Sequence, residues 1–214
     1  MSDGDDTRQR ILTAAGYVFA EKGFQDATVR DILRRADVEN MAAVNYYFGS
    51  KEKLYLEVVR QAHMQRTQEV PLPQWPPGTP TEEKLAGFIH TMMTRMVKER
   101  TPGWQIQILM REVFHPTEAC TEMVREFIRP HFEILLGILK EVTPPDISPK
   151  KLHLIAFSIV GQCLYHRIAQ PVVALLVGDE EFRSYDAESL ARHIAEFSLA
   201  ALGLKPPLNR SAHQ

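Results

Sequence analysis

Only two cysteines occur in 214 residues, Cys120 and Cys163, and they form no Cys-x-x-Cys pair. That argues against a zinc site or a disulfide framework. Two buried free thiols are expected, with a two-cysteine redox sensor as the alternative. Long apolar runs are missing too. Nothing approaches the ~18 residues of a membrane span, and the opening Met-Ser-Asp-Gly-Asp-Asp is acidic where a secretory leader is basic. A cytoplasmic protein with no membrane partner is the expectation. Gly-rich phosphate loops, Gly-x-Ser-x-Gly elbows and His-Glu-x-x-His are all absent. Glu112 to His115 is the one Glu-x-x-His in the chain. A di-iron helical bundle needs two such units and two further glutamates. No cofactor, metal or enzymatic activity is therefore expected.

A surplus of positive charge is also lacking: the formal net charge is −2. It is unevenly spread, however. Residues 7–66 carry ten Lys/Arg against seven Asp/Glu, whereas the chain from 67 onward carries fifteen against seventeen. The N-terminal end has the sign that a nucleic-acid partner requires.

What the chain does contain is helical periodicity. Ile11, Ala15, Val18 and Phe19 recur at the spacing of one helix face over about Thr7–Lys22, with Gly23 as the stop and Phe24 plugging the same core. Thr28 and Asp31 form a capping-box pattern for a helix whose Val29, Ile32, Leu33 and Ala36 face inward. Asn40 is placed as the cap of a third short helix ending near Phe48-Gly49. Ser50 caps a fourth, with Leu54, Val58, Val59 and Ala62 on one side.

Five prolines between Val70 and Pro80 make an extended connector. Further helices are predicted over Thr81–Arg100, Trp104–Phe114, Glu118–Val142 with a kink at Pro130, Lys150–Gln170 and Asp186–Leu202. The last two carry two apolar seams each. One helix has Leu152, Ile155, Ala156, Ile159, Val160 and Cys163 against Leu154, Phe157 and Tyr165. The other has Leu190, Ile194, Phe197 and Ala201 against Ala191, Ala195 and Leu202. Two seams imply burial on two sides, and a homodimer through these two helices is expected over a central position in one domain.

The fold class is all-α: an N-terminal three-helix helix-turn-helix domain, residues 1–50, then a larger helical domain, 51–214, with 51–69 as the connecting helix. In a helix-turn-helix the second short helix enters the major groove. Here it offers Asn40, Met41, Ala42, Ala43, Asn45, Tyr46 and Tyr47, while Val44 and Phe48 face the core. Asn45 suits adenine, Ala42 or Ala43 a thymine methyl, and the tyrosines phosphates or bases. Lys51 is placed as a phosphate clamp, with Thr28 and Arg30 as further phosphate contacts and Arg8 and Arg10 as an arm. A helical module that binds a protein instead of DNA is the competing reading.

Three segments resemble the TetR family of bacterial transcriptional regulators: Glu21-Lys22-Gly23-Phe24, Ala27 to Ile32, and above all Asn45-Tyr46-Tyr47-Phe48-Gly49-Ser50-Lys51-Glu52-Lys53-Leu54. The similarity covers about residues 7–60, and its wording is most like a subgroup associated with control of drug-tolerance and efflux genes. The chain departs from the family pattern twice. Residues 36–40 form a turn one residue longer than usual, with Asp37 where glycine is common, and Tyr47 stands where histidine is frequent.

The resemblance implies that helices from Thr81 onward enclose a small-molecule effector pocket, for a hydrophobic or drug-like compound, and form the dimer. The expected lining is Phe88, Met92, Met93, Met96, Trp104, Met110, Phe114, Phe127 and Phe157, with His131, His153, Gln162 and His166 as orienting groups. A two-fold dimer must hold its reading helices about 34 Å apart. A ligand that tilts the connecting helix would change that spacing, so a ligand-released repressor of a double-stranded DNA operator is expected.

Overall fold

The computed structural model describes residues 3–97 and 103–205, whose regular elements are all helices with no strand among them. Helix α1 (Asp3–Asp26) breaks at Gly23, whose φ of 81° lies in the left-handed region that glycine enters without strain. Helix α2 (Val29–Ala36) opens on the capping box expected at Thr28 and Asp31, each side chain bonding the other's backbone N–H. It closes on Asp37 at φ 54°, a left-handed position that aspartate tolerates better than most residues. That is how the longer 36–40 turn dispenses with the family's glycine.

Helix α3 (Ala43–Phe48) starts three residues later than Asn40. Asn40 instead holds an Asx turn, its Oδ1 accepting from the Ala42 N–H at 2.9 Å, so Asn40, Met41 and Ala42 form the turn ahead of the helix. Helix α4 (Lys51–Glu69) begins under a Ser50 cap, with the Lys53 N–H donating to Ser50 Oγ at 3.2 Å.

The proline-rich connector follows. Helix α5 covers Thr81–Val97, and the predicted continuation to Arg100 lies outside the described residues. Helix α6 (Trp104–Phe114) has the predicted bounds. The single kinked helix expected over 118–142 is α7 (Glu118–Met123), a π-helical turn (Val124–Ile128) and α8 (Arg129–Lys140). The wide turn sits just ahead of Pro130, which has no N–H to give to an α-helical ladder. Helix α9 (Pro149–Ile168) is followed by two helices not foreseen, α10 (Gln170–Val177) and α11 (Asp179–Phe182), and then by α12 (Ala187–Ala201).

The chain divides into two compact units. One comprises residues 1–69 and 101–129, the other 70–100 and 130–214. The first is built on a core from α1 to α4 joined by Trp104, Ile108 and Leu109 of α6 and by Ala119 and Met123 of α7. The second is built on Leu85, Phe88, Ile89 and Met93 of α5 against Leu135 and Leu139 of α8, Leu152, Ala156, Ile159 and Cys163 of α9, and Leu190, Ile194 and Leu199 of α12.

In α9 the inner seam is buried at Leu152, Ala156, Ile159 and Cys163, and Leu154, Phe157 and Tyr165 of the other seam are exposed. In α12 the expected division fails. Leu190, Ala191, Ile194, Ala195 and Leu199 are buried together, while Phe197 and Ala201 face outward. Small alanines at 191 and 195 let the buried face take in residues from both predicted seams.

Candidate nucleic-acid interface

The outer face of α3 depends on what its inner face does. Ala43, Val44 and Phe48 are buried among Ile11, Phe19, Ile32 and Leu54. This corrects the expectation for Ala43, which is a core residue and not a base contact. With that side committed, Asn45 and Tyr46 must point away, and Tyr46 is 80% exposed. Tyr47 is half-buried, and its ring meets that of Tyr46 edge-on at 4.8 Å between centroids. Met41 and Ala42, in the preceding turn, are exposed as well. Gly49, at φ 81°, ends α3 and turns the chain into α4.

Lys51 lies over the Phe24 ring at 4.6 Å, and its Nζ donates to the Gln25 carbonyl at 3.4 Å. This holds an ammonium group beside the segment that leads into α2. Thr28 is spent on its cap. Arg30, the second residue of α2, is exposed with no ion pair among the described residues. Other cations nearby are paired: Lys22 and Arg34 both with Asp31, and Arg35 with Glu21. The Lys22 ammonium, with the Thr28 hydroxyl, holds the Asp31 carboxyl down at about 2.

The arm contact expected of Arg8 and Arg10 is replaced by internal use. Arg8 pairs with Glu57 and lies 4.9 Å over the Phe48 ring. Arg10 donates to the Ala36 and Asp37 carbonyls, at 2.7 Å each, closing the end of α2.

The expected effector residues fall in different parts of the chain. Trp104, Met110, Phe114 and Phe127 belong to the first unit, where Trp104 is core, Phe114 is exposed, and Phe127 stacks on His63 at 4.4 Å. Phe88, Met92, Met96, His131, Phe157, Gln162 and His166 belong to the second. Phe88 is buried in its core, with Met92 and Met96 packed against that core. Phe157 is exposed and stacks on Phe132, and Gln162 donates to the Ser158 carbonyl on its own helix. Of these seven, His166 alone lines a cavity of roughly 330 Å³ in the second unit, together with Gln170, Val173, Phe182, Tyr185 and Leu190. Burial, and the neighbouring His193, push the His166 imidazole towards its neutral form. Val173 and Phe182 come from α10 and α11, which carry no periodic signal in the sequence, and the other lining residues, except His166, lie outside the expected set.

Glu112 and His115 do not meet at one site. Glu112 is fully buried and accepts from the Tyr55 hydroxyl and from Thr117, whereas His115 is exposed. The Glu-x-x-His spacing is therefore structural at its first position.

An all-helical chain whose exposed short helix follows a capped partner helix and a tight turn is a helix-turn-helix DNA-binding protein. Residues 11–58 match the family described as bacterial regulatory proteins, tetR family. Residues 81–202, more than half of the chain, match the C-terminal domain of the HTH-type transcriptional dual regulator CecR. The chain belongs to the TetR family, with a CecR-type C-terminal domain, and is a DNA-binding transcriptional regulator.

It is similar to the dual regulator CecR of Shigella flexneri, 24% identical over 205 residues, covering 89% of this chain and 91% of that one. It is similar over a shorter stretch to the transcriptional repressor AcnR of Corynebacterium efficiens, 44% identical over 55 residues, 26% of this chain and 29% of that one. A regulatory protein of the tetR family from Rhodococcus RHA1 shares the fold, with a TM-score of 0.68 at 18% identity over 95% of this chain and 99% of that one.

Proposed function

We propose that the chain is a cytoplasmic homodimeric repressor that reads a double-stranded operator with α3 and is released by a small-molecule effector. The observation that carries the reading is the outer face of α3, where Asn45 and Tyr46 stand free above a committed core. Met41, Ala42 and Tyr47 flank the base-reading pair, Asn40 shapes the turn before it, and Arg30 and Lys51 meet phosphates, with Thr28 capping the helix that carries Arg30.

Dimerisation uses the outward residues of α9 and α12: Leu154, Phe157 and Tyr165 with Phe197, each half or more exposed. So many large apolar side chains on two neighbouring helices call for a cover. The effector occupies the second-unit cavity beside His166, whose volume suits a compact, partly apolar molecule. Residues 1–50 act as the reader and 51–214 as the regulatory part, with α4 linking them. The name of the AcnR relative supports repression, and that of CecR supports a regulator able to act in both directions.

The test begins by selecting duplexes from a randomised pool with the full chain. Binding should weaken steeply with salt, log K falling by about 0.9 per log unit of salt for each phosphate contacted. Tyr46→Ala should abolish sequence preference, and Arg30→Ala should lower the salt slope by about one contact. Failure to enrich any sequence, or unchanged preference in Tyr46→Ala, refutes the reading.

A further inference from the structure

Two consecutive residues near the end of α6 reach in different directions. Arg111 Nε donates to the Ala20 carbonyl at 3.0 Å, and Arg111 Nη2 donates to the Glu21 carbonyl at 3.0 Å. Both acceptors lie just ahead of Gly23, where the backbone of α1 leaves helical φ/ψ. Gly23 itself makes room: a Cβ there would stand 2.8 Å from Arg111 Nη1.

Glu112 points the other way, into the core. Its carboxylate is 0% exposed and accepts from the Tyr55 hydroxyl of α4, and from the Thr117 N–H and hydroxyl at 3.0 Å each. Arg111 thus grips α1 and Glu112 grips α4. Helix α3 packs on α4, and its Val44 and Phe48 share one buried core with residues of α1.

We infer that Arg111 and Glu112 are positioning residues for DNA reading: as a paired clamp on α6 they set the angle between α1 and α4, and with it the aim of α3. The inference rests on α3 being the reader. The chemistry favours a positioning role because both grips are directional hydrogen bonds between groups on separate helices. A guanidinium fork fits two successive carbonyls, and a buried carboxylate that loses its phenol loses its hydrogen bond to α4. Base-edge hydrogen bonds tolerate little misplacement, whereas phosphate contacts made by flexible cations tolerate more. A slackened clamp should therefore cost specific binding before it costs non-specific binding.

The experiment compares the full chain with its Arg111→Ala, Arg111→Lys and Tyr55→Phe variants on two probes. One is a duplex selected by the parent protein, and the other is an unrelated duplex of equal length. Variants with parental helix content should bind the selected duplex at least tenfold more weakly and the unrelated one within twofold. Arg111→Lys should recover part of the loss, since an ammonium can serve one carbonyl well and two poorly. Selected-duplex affinity within twofold of the parent in Arg111→Ala and Tyr55→Phe overturns the inference. Equal losses on both probes overturn it as well, since that is the signature of a weakened fold. Should Arg111→Ala not fold, Tyr55→Phe, which removes a single oxygen, decides the matter. Tyr46→Ala run alongside keeps the two readings apart. If it binds the selected duplex normally, the assignment of α3 fails; if it loses binding while the clamp variants do not, only the clamp fails.

Discussion

Gly16 of α1 lies directly beneath the indole of Trp104, so that a Cβ at residue 16 would stand 2.6 Å from ring atoms Cδ2 and Cε3. Such a separation is well inside van der Waals contact, and Trp104 is buried in the same core. Glycine in mid-helix costs about 1 kcal/mol relative to alanine. Its presence here reflects the close approach of α6 to α1. Gly16→Ala should destabilise the protein by about 1–3 kcal/mol, the overpacking cost exceeding the gain in helix propensity. Urea unfolding followed by Trp fluorescence measures it, and an unchanged or raised midpoint contradicts the close packing.

Acid should act through Asp31. Its carboxyl is held at about 2, below its ordinary 3.8, first by the Lys22 ammonium and then by the Thr28 hydroxyl. A depressed folded-state value means that the stabilisation is fully present above about pH 4 and is lost as the pH falls from 4 towards 2. Asp31→Asn should be less stable than the parent at neutral pH, and the gap should close across that window. Denaturant midpoints at pH 7, 4 and 2.5 test it; a constant gap counts against the ion pair.

The two thiols should differ in reactivity. Cys163 is fully buried, and burial pushes its thiol up to about 12. Cys120 is half-buried and is raised by burial and then by the Glu112 carboxylate. Alkylation at pH 8 followed by peptide mapping should label Cys120 slowly and leave Cys163 unmodified until the chain unfolds. Rapid labelling of native Cys163 contradicts its placement in the α9 seam.

The outward faces of α9 and α12 should respond to charge. Leu154→Asp and Phe197→Asp alter residues that are 52% and 59% exposed, so the helices should persist. Sedimentation at micromolar concentration should shift from dimer to monomer in the double variant, and binding to the selected duplex should fall at least tenfold. A double variant that still sediments as a dimer moves the interface elsewhere.

Some features are legible in the sequence because they depend on neighbours in the chain. The Thr28–Asp31 box, the Ser50 cap, the bounds of α6 and the Val44/Phe48 face of α3 are all consequences of spacing within a turn or two. Helices α10 and α11 are not legible. Ala169 interrupts the helical run, Pro171 restarts it as a first-turn residue, and Gly178 and the short acidic α11 follow without a periodic stripe. Arg8 and Arg10 resemble DNA contacts in one dimension, where any cation near a reader seems unengaged. In three dimensions Glu57, Phe48 and the end of α2 claim them. The apolar residues assigned to one pocket belong to two units.

Composition, caps and periodicity by themselves determined three things: that the chain is all-helical, that a turn separates two short helices near its start, and that the face of α3 opposite Val44 and Phe48 is the outward one. These follow from short-range hydrogen bonding and from the need to bury an apolar stripe. Tertiary structure alone decided which cations stay unpaired, that α6 packs with α1 and α4 through Gly16, Arg111 and Glu112, and where the second unit leaves space. Each of those depends on groups from separate helices, distant along the chain, meeting at hydrogen-bond or van der Waals distance, and no local pattern encodes such a meeting.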